Sequence, residues 1–215
     1  VPEVTSVVAD SVGVVTEAGH LDNGTVVAGT ASVSGTLTAA DVDQATGLLW
    51  SAVGDRPATY GTFGINAATG VWTYTLDNAL AATQALKEGE IVLQTYTARV
   101  TDSFGGFEDE AIVVSIVGTN DVPVVTNAAA ALSGTVTEAG HLDNGTAVAG
   151  TPSVSGALTA TDVDQATGLT WSVVGTPSAT YGAIAVNAAT GVWTYTLDNS
   201  LAATQALKEG EVVTQ

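Results

Sequence analysis

The chain has 215 residues, with 22 Asp and Glu against 4 Lys and Arg and a formal net charge of −18. Four cations cannot build the basic patches that hold nucleic acid, and so acidic a surface is repelled by anionic lipid headgroups; what it attracts is cations. The absence of Cys and Met excludes disulfides, thiol nucleophiles and thiolate metal sites, and no run of about 18 apolar residues marks a membrane span.

Val1–Ala9 contains Glu3 and no basic start, so it does not read as a signal peptide. Val4–Val15 reads as a first, interrupted strand. SVSGTLTA (Ser32–Ala39) and LLWSAV (Leu48–Val53) alternate apolar and polar residues, the period of a half-buried strand. YGTFGIN (Tyr60–Asn66) and GVWTYTL (Gly70–Leu76) are joined by AATG, a hairpin link in which Gly70 offers positive φ. On the second of these, Trp72, Tyr74 and Leu76 share one face. ALAATQALKEGE (Ala79–Glu90) has helix-forming composition and reads as at most a turn or two of helix. VLQTYTARV (Val92–Val100) puts Val92, Tyr96, Ala98 and Val100 on one face, and AIVVSIVG (Ala111–Gly118) puts Ile112, Val114 and Ile116 on one face. About seven strands rich in Val and Thr, punctuated by turns, predict an antiparallel β-sandwich of immunoglobulin-like kind.

The text then repeats. VTEAGHLDNGT begins at Val15 and Val136, TGVWTYTLDN at Thr69 and Thr190, LAATQALKEGE at Leu80 and Leu201, always 121 residues apart. Residues 1–94 and 122–215 are roughly three quarters identical without a gap, the mark of a repeat array. The expected organisation is a complete sandwich over 1–121 and a second over 122–215 that stops before its last two strands. A sandwich without those strands exposes apolar edges, so the natural protein is expected to continue, or the missing strands to come from elsewhere.

The carboxylates fall at strand ends. Asp41 and Asp43 lie in the loop after the second strand and Asp102 at the end of the sixth, so the three can meet at one end of the sandwich. Glu88 and Glu90 precede the sixth strand, and Asn120 and Asp121 follow the last; both belong to the opposite end. There the next repeat brings Asp162 and Asp164. Carboxylates gathered so closely repel unless neutralised. Ca²⁺, with 6–8 oxygen ligands, suits such a set; Mg²⁺ demands tighter geometry, and Zn²⁺ prefers His or Cys. The bland alternative is that each is a solvated turn former. DVDQATG is not an EF-hand loop, since Ala45 and Thr46 stand where a ligand and the Gly belong.

FGINAATGVWTYTLDN, ALKEGE, YTARVTDSFGG and VSIVGTNDVPVV together closely resemble the VCBS repeat of very large bacterial surface adhesins, over the whole 121-residue unit. The unit also resembles the cadherin repeat, in which such segments hold calcium between successive domains. That resemblance implies Asn120 and Asp121 as linker ligands and Glu88 and Glu90 as the acidic pair. It implies Asp162 and Asp164 as the DxD of the following domain, and Asp41, Asp43 and Asp102 as ligands facing the preceding one. Glu17 and Glu138 match the early-strand glutamate. The linker has fewer acidic residues than the cadherin pattern, which implies fewer ions per junction. The resemblance further implies type I export, residence on a Gram-negative cell surface and a spacer role, in partnership with adjacent repeats.

Other chemistry is weaker. His20 and His141 precede a DNG turn and read as exposed hairpin residues, with no nucleophile-elbow sequence for a Ser-His-Asp site, so no enzyme is expected. Trp50, Trp72, Trp171 and Trp193 are candidates for sugar stacking or, as strand residues, for core. GTFG and SFGG lack the Lys and helix of a phosphate loop. Two readings stand: a calcium-stiffened extender repeat of an adhesin or surface filament, or an interaction module. The module would bind carbohydrate or complete its sandwich with strands from a neighbouring chain.

Overall fold

The computed structural model describes residues 1–215 and divides into two compact units, Val1–Val122 and Pro123–Gln215. The chain is all-β apart from single helical turns. No helix is long and apolar enough to cross a membrane.

The first unit is a two-sheet sandwich. One sheet has the order β5 (Ser32–Thr36), β9 (Val71–Leu76), β8 (Gly61–Ile65), all antiparallel. The other has the order β2 (Val12–Thr16), β11 (Phe107–Val117), β10 (Ile91–Thr101), β7 (Leu49–Val53). Short pairs flank them: β1 (Glu3–Val4) with β6 (Ala39–Ala40), and β3 (Gly19–His20) with β4 (Val26–Val27). The expected helical segment is one turn, α1 (Ala81–Gln84), which seats Leu86 in the core.

Period-two alternation builds the core. β9 turns Trp72, Tyr74 and Leu76 inward and its threonines outward. Facing it, β10 supplies Tyr96, Ala98 and Val100, and β11 supplies Ile112, Val114 and Ile116, all buried. Phe63 of β8 stacks on Tyr96 at 4.4 Å between ring centroids and 6° between planes, which bridges the two sheets. The buried Trp72 indole donates through Nε1 to the Asp10 carbonyl at 2.7 Å, so its one polar atom is satisfied. Trp50, Trp72 and Trp193 are buried, which places three of the four tryptophans in cores rather than on a sugar-stacking surface. The AATG link turns with Gly70 at φ +66°, a conformation costly for other residues, while Asn66 Oδ1 accepts from Ala68 and Thr69 N–H.

Two expectations are corrected. The sheet is not wholly antiparallel: β2 runs parallel to β11, from Val12↔Val113 to Thr16↔Val117. The first strand is interrupted by a 3-10 turn at Val8–Ser11; its β1 part pairs with β6, and the chain then crosses to the other sheet without reversing. His20 is not exposed. It is half-buried on β3, and its backbone pairs in both directions with Asn120, N–H to O at 2.7 and 2.9 Å.

The second unit repeats only part of this. β15 (Ser153–Ala157), β18 (Val192–Leu197) and β17 (Gly182–Val186) re-form the three-stranded sheet in the same register. The pairs β12 (Val124–Val125) with β16 (Ala160–Thr161), and β13 (Gly140–His141) with β14 (Ala147–Val148), recur, as does the helical turn α2 (Ala202–Gln205). Residues 133–137 and 170–174, the counterparts of β2 and β7, form no strand. The reason is pairing: β2 and β7 are held by β11 and β10, and the 215 residues contain no second copy of those two. Without them Val174 is 90% exposed. Tyr195 and Leu197 are half-buried where Tyr74 and Leu76 are buried.

Tyr96→Ala deletes the ring that joins the sheets and leaves a cavity, so it should destabilise the first unit by about 3–5 kcal/mol. Thr95→Ala, on the outer face of the same strand, should cost within about 0.5 kcal/mol. Urea unfolding followed by tryptophan fluorescence reads both; equal losses would contradict this account of the core.

Candidate cation-binding site

The residues assigned to one end of the first unit do converge. Asp41 follows β6, and its Oδ1 accepts from the N–H groups of Asp43 at 2.8 Å and Gln44 at 3.2 Å. Asp102 follows β10, and its Oδ1 accepts from Phe104 and Gly106 N–H, both at 2.8 Å. Each aspartate thus ties one oxygen into its own turn, as such side chains do. The other oxygen of each faces one positive charge: the Val1 ammonium lies 3.3 Å from Asp41 Oδ2 and 3.9 Å from Asp102 Oδ2. The two side chains are 2% and 7% exposed, so these are desolvated carboxylates that need a cation.

Two residues not read from the sequence complete the corner. Gln44 Oε1 accepts from both the N–H and the hydroxyl of Ser103, at 2.9 and 2.6 Å, and so locks the Asp41 loop to the Asp102 loop. Glu108 Oε2 accepts from Val4 N–H at 2.7 Å and anchors the first strand beside them. Gln44 continues the DVDQATG turn and Glu108 opens the run Glu108-Asp109-Glu110, but only the meeting of distant loops assigns them a role. Gly106 is required here, since a Cβ on it would lie 2.5 Å from Asp102 Oδ2. Asp43 is exposed and contributes its N–H rather than its carboxylate.

At the opposite end of the first unit, backbone bonds draw the other segments together. Gly89 N–H donates to Gly118 O at 3.1 Å and Gly118 N–H to Glu90 O at 2.9 Å, which places the Glu88–Glu90 turn beside the segment leading to Asn120 and Asp121. The side chains have local partners. Glu88 Oε2 accepts from Asp22 N–H at 2.5 Å, and Glu90 Oε2 from Lys87 N–H at 3.2 Å. Glu17 is fully buried: Oε2 accepts from Thr119 N–H at 3.1 Å and Oε1 from Gln84 Nε2 at 2.9 Å. Glu17 thereby fastens the last strand's exit to β2 and the α1 turn. In the second unit Glu138 Oε1 likewise accepts from Gln205 Nε2 at 3.0 Å.

The second unit keeps the DVDQATG turn without the ammonium. Asp162 Oδ1 accepts from Asp164 and Gln165 N–H at 3.3 and 3.2 Å, as Asp41 does. Yet the two aspartates titrate in opposite senses. Asp41 is held below the ordinary carboxylate value, chiefly by the Asp43 N–H and further by the Val1 ammonium, against the effect of burial. Asp162 is pushed above it by burial and by the neighbouring Asp164. At Val122, which has the register of Val1, the nitrogen is a peptide N–H and carries no charge.

The oxygen-only donors match a hard cation such as calcium. Within neither unit do three or more His, Asp or Glu side chains come close enough to hold a metal between them. Asp41 and Asp102 bring two carboxylates to one corner of the first unit.

No protein-family model and no curated protein matches the chain. Solved structures similar to it include extracellular cadherin domains 3–6 of protocadherin gamma B2, at 16% identity over 94% of this chain and 39% of that one, with a TM-score of 0.44. Others are the human desmocollin-1 ectodomain, at 16% identity over 93% and 31% with TM-score 0.36, and the protocadherin gamma B4 extracellular domain, at 15% over 91% and 29% with TM-score 0.39. The chain spans less than two fifths of each of these.

Because the folded value of Asp41 lies below its unfolded value, its ionised form adds stability above the unfolded carboxylate value of about 3.9, and that stability is lost as pH falls through the folded one. The difference in melting temperature between the wild type and Asp41→Asn should therefore narrow as pH drops below about 4. Calorimetry across that range checks it; a difference independent of pH would sink the assignment.

Proposed function

We propose that this chain is part of the stalk of an extracellular bacterial adhesin of VCBS kind, built of β-sandwich repeats of 121 residues. Repeats would meet near residues 121 and 122, and the junctions would be stiffened by calcium. The observation that carries the reading is the convergence of Asp41 and Asp102, whose side chains are 2% and 7% exposed at one corner of the first unit. In a continuous array each repeat's first nitrogen is an amide. A divalent ion then takes the ammonium's place, drawing further oxygens from the Glu88–Glu90 and Asn120–Asp121 segments of the repeat before. Asp162 and Asp164 play this part for the second repeat. Without the ion the carboxylates repel and the linker flexes; with it, ligands from separate segments fix the angle between repeats. The work is mechanical and not enzymatic.

Calcium that binds only the ordered junction stabilises it by about 2.7 kcal/mol at 100 times its Kd. Calcium should therefore raise the melting temperature and lengthen the molecule in small-angle scattering, and chelator should reverse both. Asp121→Ala should lose the lengthening while each unit keeps its own unfolding transition. An unchanged length and melting point with and without calcium would defeat the reading.

A second reading rests on the open face of the second unit, where Val173, Val174 and Ile184 are exposed. A hairpin of the β10–β11 kind from a neighbouring chain would pair with residues 133–137 and 170–174 and cover the three-stranded sheet, giving a filament by strand addition. A synthetic peptide of residues 91–117 should bind the chain and bury tryptophan in the second unit; no binding at high peptide concentration would remove this alternative.

A further inference from the structure

The chain has eight asparagines, and two of them are followed two residues later by a hydroxyl: Asn23-Gly24-Thr25 and Asn144-Gly145-Thr146. Asn66, Asn78, Asn120, Asn127, Asn187 and Asn199 are not. Asn-x-Ser/Thr with x other than proline is the acceptor pattern of asparagine-linked glycosylation, and the context that gives it meaning is an exposed loop of a secreted protein. A three-residue pattern is weak alone, so the turn must carry the argument.

Both patterns sit at the tips of the β3–β4 and β13–β14 hairpins, and the residues of each tripeptide are exposed. The turns are the same. Gly24 and Gly145 both have φ +81°, and a Cβ on either would meet nothing within 4 Å, so the tip stands in open space. Leu21 N–H donates to Thr25 O at 2.8 Å and Gly24 N–H to Leu21 O at 2.7 Å; the Leu142–Thr146 turn has the same bonds at 2.9 and 2.8 Å. In each, Oδ1 of the asparagine accepts from the N–H of the threonine at 2.9 Å. That bond holds the amide oxygen. Nδ2, the atom that takes the sugar, and the threonine hydroxyl, the group a transferase reads, hydrogen-bond to nothing else in the chain. The backbone is already closed on itself, so a bulky polar group added at the tip displaces no packed side chain.

We propose that Asn23 and Asn144 are N-glycosylation sites, one on each repeat, taking a sugar from an activated sugar-phosphate donor. In the transfer, Nδ2 attacks C1 of the sugar. The N–C1 bond forms, the bond from C1 to the phosphate oxygen breaks, the nucleoside or lipid diphosphate leaves, and the proton lost from Nδ2 passes to a base on the transferase. Nothing is oxidised or reduced.

The test uses the intact folded chain with a soluble asparagine glucosyltransferase and UDP-glucose, read by intact mass and peptide mapping. The expected result is one hexose on Asn23 and one on Asn144, none on the other six asparagines. Thr25→Ala with Thr146→Ala should abolish both additions, and Thr25→Ser with Thr146→Ser should keep them. Surface material from the native producer should carry sugar on the same two peptides. A folded chain that accepts no hexose, sugar on other asparagines, or bare Asn23 and Asn144 in the native material overturns the proposal.

Discussion

The β10–β11 hairpin is the constraint on which the first unit depends. It pairs without interruption from Ile91↔Val117 to Thr101↔Phe107. One edge of it receives β2 in parallel and the other receives β7 antiparallel. Its inner face supplies six of the thirteen buried residues of the core, and its two ends define the two ends of the sandwich. The second unit shows the dependence directly. The counterparts of β2 and β7, each sharing three of five residues with its strand, are present there, yet they make no strand, because a β-strand is satisfied only by the groups of its neighbour. The sheet of β15, β17 and β18 survives because its partners are all its own.

The acidic corner follows from the same geometry. β10 ends at Thr101, so Asp102 is delivered to the end where the Asp41 loop arrives. Each loop folds around its own aspartate, with Oδ1 spent on turn amides. The turn then costs the site nothing further, since the second oxygen is aimed outward and buried only by the meeting of the loops. A single cation satisfies both. Asp41 and Asp162 differ in their surroundings: the Asp43 N–H at 2.8 Å is the chief influence lowering the first, while burial and then the neighbouring Asp164 raise the second.

Much of the fold was legible in the residues. Alternation identified Trp72, Tyr74 and Leu76, Tyr96 to Val100, and Ile112 to Ile116 as inward faces, because the pleat has a strict period of two. AATG announced its turn. What alternation cannot show is which strand lies beside which, so the parallel β2–β11 pairing was not visible, although the interruption of the first strand was. Glu17 reads as a candidate ligand by position, but its burial against Thr119 and Gln84 depends on residues about 67 and 102 positions away. The roles of Gln44 and Glu108 depend in the same way on partners 59 and 104 positions away.

By itself the sequence determined the repeat of 121 residues, the strand periods, the turn glycines and the excess of acid that calls for cations, since all of these are local or countable. The tertiary structure alone decided the sheet order, the cation-facing pairing of Asp41 with Asp102, the burial of Glu17 and the failure of residues 133–137 and 170–174 to become strands. Those outcomes rest on contacts between segments tens of residues apart, and the free energy of such a contact is absent from either segment alone.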